Sequence, residues 1–399
     1  MIKNVYNISI GLIFILYLIL SINSCIEKRT AGEEEIRRLV RTIRQQYVPD
    51  SSTGIFEINV TKNSEGWLIE GVTDHPEVLD RLFDSLERKS ISYRDQVKLL
   101  PDEELNGMIY GLVNVSVANL RTSPDHSAEL CTQALLGTPL RVLKKQGGWF
   151  TVQTPDRYIG WLDEGVLITM DEIIYTQYQL ERKIIVTELW GHAYQEPNSN
   201  SIPVSDLVMG CVLQYLSNQG NYYKVKYPDE RIGYVSTTEA EPFEEWIGDR
   251  YPTADNLVST AKKLMGVPYL WGGTSSKGVD CSGFTKTIYF MNGILLPRDA
   301  SQQEEIGMLV DDQKFFTRLL PGDLLFFGSL PTDSTSERVV HVGMWIGDMK
   351  YIHASDDVHL SSMDFNAADF DEYNYNRYLR SRRILNSQYI DQLFIRKYY

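Results

Sequence analysis

Apolar residues Ile36, Leu39, Val40 and Ile43 recur at helical spacing within "EEEIRRLVRTIRQQY", which predicts an amphipathic helix. "GIFEINV" and "GWLIEGVT" then alternate with the period of two that a half-buried strand requires. "PEVLDRLFDSLER" returns to helical spacing, so residues 26–108 read as a small α+β unit. Beyond it the pattern breaks into short strands at even spacing and repeats itself. "GWFTVQTPDRYIGWLDE" (148–164) aligns with "NYYKVKYPDERIGYVST" (221–237): an aromatic pair, a Val, a Pro-Asp turn, then Ile-Gly-aromatic-aliphatic. Short strand pairs precede each copy, and Gly, Pro and Asp mark the turns, as in small β-barrels. Two barrels are expected, over 109–168 and 183–240.

From residue 250 the order reverses to helix first, sheet later. "ADNLVSTAKKLMGV" is a helix with Thr253 or Asp255 near its cap. A second helix follows Asp280, with Phe284, Ile288 and Met291 on one face and Gly293 to close it. "GDLLFFG", "HVGMWIG" and "KYIHAS" then read as strands, so 250–399 is an α+β domain and not a doubly wound parallel sheet.

The first 25 residues are a separate object. Lys3 is followed by the apolar run "ISIGLIFILYLILSI" (8–22), shorter than the roughly 20 residues that cross a bilayer. The ending "INSC" resembles a bacterial lipobox, which would make Cys25 the lipidation site of an exported lipoprotein, held to the membrane of the cell envelope by its anchor. The 399 residues carry 53 acidic and 39 basic side chains, a net charge of -14, which argues against a nucleic-acid partner. Removing Cys25 leaves Cys131, Cys211 and Cys281, an odd set with neither disulfide framework nor zinc spacing. Cys131 and Cys211 lie in apolar, strand-like stretches and read as core residues.

Cys281 stands in "GVDCSGF", at the start of the second helix with Asp280 as cap. The positive end of the helix dipole favours thiolate there, lowering a thiol from about 8.5 toward neutrality. Two of the six histidines flank one predicted hairpin. His341 and His353 stand at about equal distance from a turn near Gly347, hence on neighbouring strands facing one side. Val342, Met344 and Ile346 form the other face and suit a core. Paired imidazoles fit a base oriented by a second polar group, and no third ligand at a useful spacing suggests a metal. No cofactor is implied.

In this order, "PYLWGG…GVDCSGF", "LLPGDLLFFG", "HVGMWIGD" and "YIHAS" resemble the NlpC family of papain-like cysteine peptidases, which cut cell-wall peptides. "VANLRTSPDHSAEL…DRYIGWL" resembles bacterial SH3-like domains, the second copy more weakly. The implied architecture is multidomain: an α+β papain-like NlpC catalytic domain preceded by two small SH3-like β-barrels and a small α+β N-terminal domain. That layout is similar to the γ-D-glutamyl-L-diamino acid endopeptidases (dipeptidyl-peptidase VI), which release L-Ala-γ-D-Glu from murein peptides with a free N-terminal alanine. The resemblance implies Cys281 as nucleophile, His341 as base and His353 as its orienting partner. It further implies that Asp299 receives the substrate ammonium, and that Tyr269, Trp271, Asp280 and Ser282 line the substrate pocket. Glu129 and Tyr158 would reach the cleft from the first barrel. Arg298 could touch substrate or pair with Asp299, and Ala300 stands where some relatives carry Ser. Two alternatives remain at this stage: an endopeptidase on intact stem peptides, or an inactive cell-wall-binding lipoprotein.

Overall fold

Residues 32–47 form the expected first helix, and its apolar stripe of Ile36, Val40 and Ile43 is buried against Phe56, Val60 and Ile69. The computed structural model describes residues 32–399 apart from 65, 250, 251, 333, 334, 386, 388 and 389. The expected leader (1–25), with Cys25, lies outside the described residues. Among those residues no helix is long and apolar enough to cross a membrane.

The chain divides into two compact units, the first ending at Asp102 and the second spanning Glu103–Tyr399. In the first, strands Phe56–Asn63 and Gly66–Thr73 pair antiparallel, and helix Pro76–Arg88 crosses over to a third strand, Tyr93–Leu99, parallel to the second. That third strand escapes the hydrophobic pattern because "YRDQVKL" seals no apolar face. Its place is set by backbone pairing at a sheet edge.

The second unit begins with two seven-stranded sheets. The first has the order Leu167–Met170, Tyr110–Val113, Pro139–Gln146, Trp149–Gln153, Ile159–Asp163, Val117–Arg121, Leu130–Leu135. The second runs Ala240–Pro242, Lys183–Val186, Val212–Gln219, Tyr222–Lys226, Ile232–Ser236, Trp190–Tyr194, Pro203–Val208, the same connectivity strand for strand. Even the irregularity recurs: the register shifts between Val142 and Lys144 in one sheet and between Tyr215 and Ser217 in the other. The two sheets touch backbone to backbone, where the Val212 N–H donates to the Leu136 carbonyl (2.9 Å). Gly137 allows this approach; at φ +78 its Cβ would fall 2.0 Å from the Val212 carbonyl oxygen.

Besides the two-stranded pair Thr274–Ser275 and Gly278–Val279, a larger sheet has six antiparallel strands in the order Met308–Asp311, Tyr378–Arg383, Leu324–Ser329, Arg338–Gly347, Lys350–Ala354, Val358–Ser362. Helices Ala254–Lys263 and Cys281–Phe290 cover one face, packing Leu257, Phe284 and Ile288 against Leu324, Phe326, Val342 and Met344. Thr253 caps the first helix, its Oγ1 accepting from the Asn256 N–H at 3.2 Å. The hairpin pattern implies that the opposite face, which carries the histidines, lies outside the core; the structure differs. Phe316, Phe327, Trp345, Tyr351 and Tyr378 form a second cluster there, so the strand carrying His341 is buried on both sides.

Candidate active site

Cys281 opens the helix that Asp280 caps, and the carboxylate of Asp280 is fully engaged. Its Oδ1 accepts from the Gly283 N–H (2.7 Å), its Oδ2 from the Gly272 N–H (2.9 Å), and Arg298 donates to both oxygens at 3.1 and 2.5 Å. Arg298 also donates to Ser282 Oγ (2.9 Å) and to Thr132 Oγ1 (3.1 Å). The structure thus pairs Arg298 with Asp280, not Asp299. Asp280, Ser282 and Arg298 are buried and bound to one another, and all three line the same cleft as Cys281. Gly283 belongs to the same construction, since a Cβ there would lie 1.9 Å from the Gly273 carbonyl oxygen.

The thiol differs from expectation. Burial, with the Asp280 charge second, pushes Cys281 up to about 11, while the Val342 amide beside the sulfur pulls the other way. Removal from water outweighs the helix end, so the resting group is a thiol. Val342 directly follows His341 on strand Arg338–Gly347, so the strand that carries His341 passes next to Cys281.

His341 and His353 do meet: His341 Nε2 lies 2.9 Å from His353 Nδ1, and the rings are nearly perpendicular at 83°. The pairing is diagonal. Met344 faces Ile352 and Trp345 faces Tyr351, with a bulge between Trp345 and Gly347. Continuing that register puts His353 across from Gly343, with His341 two residues farther along the same face. His353 Nε2 lies 3.1 Å from Ser361 Oγ and 4.0 Å from Asp371 Oδ2. Both imidazoles are held neutral, chiefly by burial: His341 well below its ordinary value, with the His353 charge second, and His353 down to about 4.

Two clefts flank this line of residues. One, of about 520 Å³, holds Cys281 together with Glu129, Tyr158, Trp271, Asp299 and Glu304. The first seven-stranded sheet closes it: Tyr158 donates from its hydroxyl to Asp299 Oδ2 (3.3 Å), and Trp271 Nε1 donates to Glu129 Oε1 (2.6 Å). Burial, then the charge of Asp299, raises the Tyr158 phenol and keeps it a donor. Asp299 itself precedes the short helix Ala300–Glu304, where its N–H donates to the Gln302 side chain (3.0 Å). Cys131 reaches this cleft half-buried, its thiol pushed up to about 11 by burial, whereas Cys211 is fully buried.

The other cleft, of about 580 Å³, contains Tyr269, His341, His353, His359, Asp371 and Arg377. Tyr269 therefore lies on the histidine side, away from Asp299, yet near enough to Cys281 for that sulfur to raise its phenol after burial does. The structure brings Cys281, Asp280, Ser282, Arg298, Asp299, Trp271, Glu129 and Tyr158 to one cleft, and Tyr269, His341 and His353 to the other. Ser361, Asp371 and Arg377 carry no motif in the sequence; only the strand Val358–Ser362 and the short helix Glu372–Asn376 that follow "YIHAS" bring them to the histidines.

A buried thiol at a helix start, reached by the backbone amide that follows a neutral imidazole, with a second imidazole paired to the first on an antiparallel sheet, defines a cysteine peptidase of papain-like construction. Residues 266–381 match the NlpC/P60 family, and residues 120–167 match the bacterial dipeptidyl-peptidase SH3 domain. This chain belongs to the NlpC/P60 family, as a multidomain protein with a papain-like domain and an SH3 domain. A γ-D-glutamyl-L-lysine dipeptidyl-peptidase of Bacillus cereus (strain ATCC 10987) is 35% identical over 236 residues, 57% of this chain and 67% of that protein. Dipeptidyl-peptidase 6 of Lysinibacillus sphaericus is 29% identical over 262 residues, 63% of this chain and 91% of that protein. Among solved structures, an NlpC/P60 family protein from Bacillus cereus ATCC 10987 superposes with a TM-score of 0.59 at 29% identity, over 69% of this chain and 99% of that one.

Proposed function

We propose that the protein cleaves the γ-D-glutamyl–L-diamino acid bond of murein peptides that carry a free N-terminal L-alanine. The observation that carries this is Asp299, whose carboxylate sits in the Cys281 cleft at the end closed by the first barrel and accepts a hydrogen bond from Tyr158. A carboxylate there suits the ammonium of a peptide's first residue, and an acylated amine would leave it desolvated without a counter-charge. The names of the Bacillus and Lysinibacillus relatives support the same bond.

The chemistry follows from the neutral resting pair. With its proton on Nε2, His353 donates to Ser361 and accepts at Nδ1 from the His341 Nε2–H, so His341 Nδ1 is left as base. As the Cys281 sulfur bonds to the γ-glutamyl carbonyl carbon, its proton passes to His341. The oxyanion meets the Cys281 N–H, in a helix turn with no acceptor of its own, and the protonated Tyr269 hydroxyl. The imidazolium protonates the departing amine, and water then hydrolyses the thioester. The acyl half, L-Ala-γ-D-Glu, occupies the Asp299 cleft, and the diamino acid leaves through the other.

The remaining architecture belongs to this reading. The domain bounds assigned are 26–108 for a small α+β domain, supported by the compact unit that ends at Asp102, and 183–240 for a second SH3-like barrel, supported by its identical strand order. The catalytic domain spans 250–399. Residues 1–25 act as a lipoprotein signal with Cys25 acylated, so the enzyme faces free murein peptides at the cell envelope, a recycling role. Hydrolysis of L-Ala-γ-D-Glu-L-diamino acid peptides, with lysine or diaminopimelate in third place, tests the core of it. The free amine is expected to be cut at least about a hundredfold faster than its N-acetyl form; equal rates would overturn the reading.

A further inference from the structure

The cleft beside the histidines holds several charges, and most already have partners. Asp371 accepts from the Tyr351 hydroxyl (2.6 Å), the Asn374 N–H (2.9 Å) and the Asn374 side chain (2.6 Å). Asp369 pairs with Lys350 at 3.2 Å. Arg377 differs. It follows the short helix Glu372–Asn376, half-buried, and its guanidinium lies over the Tyr373 ring at 4.3 Å. Its Nε donates to Asn374 Oδ1 (2.9 Å), and its backbone carbonyl accepts from the Gly328 N–H (2.8 Å). These contacts fix the plane and direction of the guanidinium, but neither Nη group has a hydrogen-bond partner among the described residues.

A stacked, braced guanidinium with its fork open is preorganised for a carboxylate, which it grips through two parallel hydrogen bonds. Arg377 lines the cleft that His341 and His353 line, close enough for its charge to depress both imidazoles. A purely structural arginine would turn its Nη groups onto carbonyls or acids; this one spends only Nε and its ring-facing surface.

We propose that Arg377 binds a carboxylate of the departing diamino acid, so that the histidine-side cleft selects leaving groups by that charge. This rests on the proposed function, which sends the diamino acid through this cleft. Two carboxylates qualify: the α-carboxylate of a diamino acid that ends the peptide, and the side-chain carboxylate of diaminopimelate.

The test compares three peptides: L-Ala-γ-D-Glu-L-Lys, its C-terminal amide, and L-Ala-γ-D-Glu-meso-diaminopimelate amidated at the α-carboxyl. Wild-type kcat/KM is expected to be about tenfold higher for at least one carboxylate-bearing peptide than for the lysine amide. The favoured peptide identifies the source, the first for the α-carboxylate and the third for the side chain. Arg377→Gln should bring that ratio close to one, and Arg377→Lys should restore part of it. Equal wild-type rates on all three peptides would overturn the inference, as would a ratio that survives Arg377→Gln. If wild-type enzyme cuts none of them, the proposed function fails first and takes this inference with it.

Discussion

Arg298 lies with its charge removed from water, and Asp280 answers it from the cap of the helix that Cys281 opens. A buried pair of this kind adds little over an apolar pair of the same shape, but losing one partner strands the other. Arg298→Ala should therefore destabilise the protein by about 3–5 kcal/mol, read from denaturant midpoints, and Asp280→Ala with it should cost less than the two single changes summed. The imidazoles set a pH dependence of the opposite kind. Both are buried neutral, so below about 6.5 the unfolded chain binds protons that the folded chain refuses. Stability is complete above that value and falls as pH drops toward about 4, by on the order of 3 kcal/mol from His353 alone. Thermal melts at pH 7 and pH 5 measure it, and His353→Gln should flatten the difference. At this scale the sequence was legible where a motif packs its own neighbours: Cys281, its cap and both histidines. Arg298 sits next to Asp299 in the chain yet turns to Asp280, a choice that only the three-dimensional arrangement of Thr132 and Ser282 explains.

Symmetry about Gly347 would set the two histidines directly opposite one another. The turn falls instead at Asp348 and Met349, and the bulge between Trp345 and Gly347 takes up one residue, so the net offset is two and both rings keep one face. Gly343 fills the place opposite His353. A Cβ there would lie 2.6 Å from the Tyr351 ring and 3.1 Å from His353 Cβ. Gly343→Ala should displace the His353 ring from His341 and lower kcat by at least about tenfold with a small change in KM, checked by steady-state kinetics. The strands that carried no signal, Met308–Asp311, Val358–Ser362 and Tyr378–Arg383, bring Ser361 and the approach to Arg377 into the site. They are short and chemically mixed, and the sheet they join supplies the order their own residues lack.

The first barrel is fixed to the catalytic domain by contacts that no periodicity announces. Gln133 Oε1 accepts from the Thr274 N–H and from Ser275 Oγ, both at 3.0 Å, and Asp156 pairs with Lys286 at 2.6 Å in a nearly dry setting. At Gly272 the chain passes so close to the barrel that a Cβ would lie 2.4 Å from the Leu130 carbonyl oxygen. The repeat itself was readable, because turn chemistry recurs with the strands; the docking uses scattered polar side chains far apart in sequence. Asp156→Ala should loosen the barrel. The expected result is a lower melting temperature and a smaller preference for free over acetylated amines, measured on the same preparation.

Strand Arg338–Gly347 contributes to both clefts, Val339 and Val340 lining one and His341 the other. Under the proposed function each half of a cut peptide has its own exit. Under the proposed chemistry the diamino acid can depart while the acyl half is still bonded to sulfur, and the vacated side then admits water. A free diamino acid added in excess would occupy that same berth, compete with water and return the acyl group to an amine. Its inhibition should follow a different pattern from that of L-Ala-D-Glu, which competes with the whole substrate. The partition makes the enzyme a valve with an order of discharge.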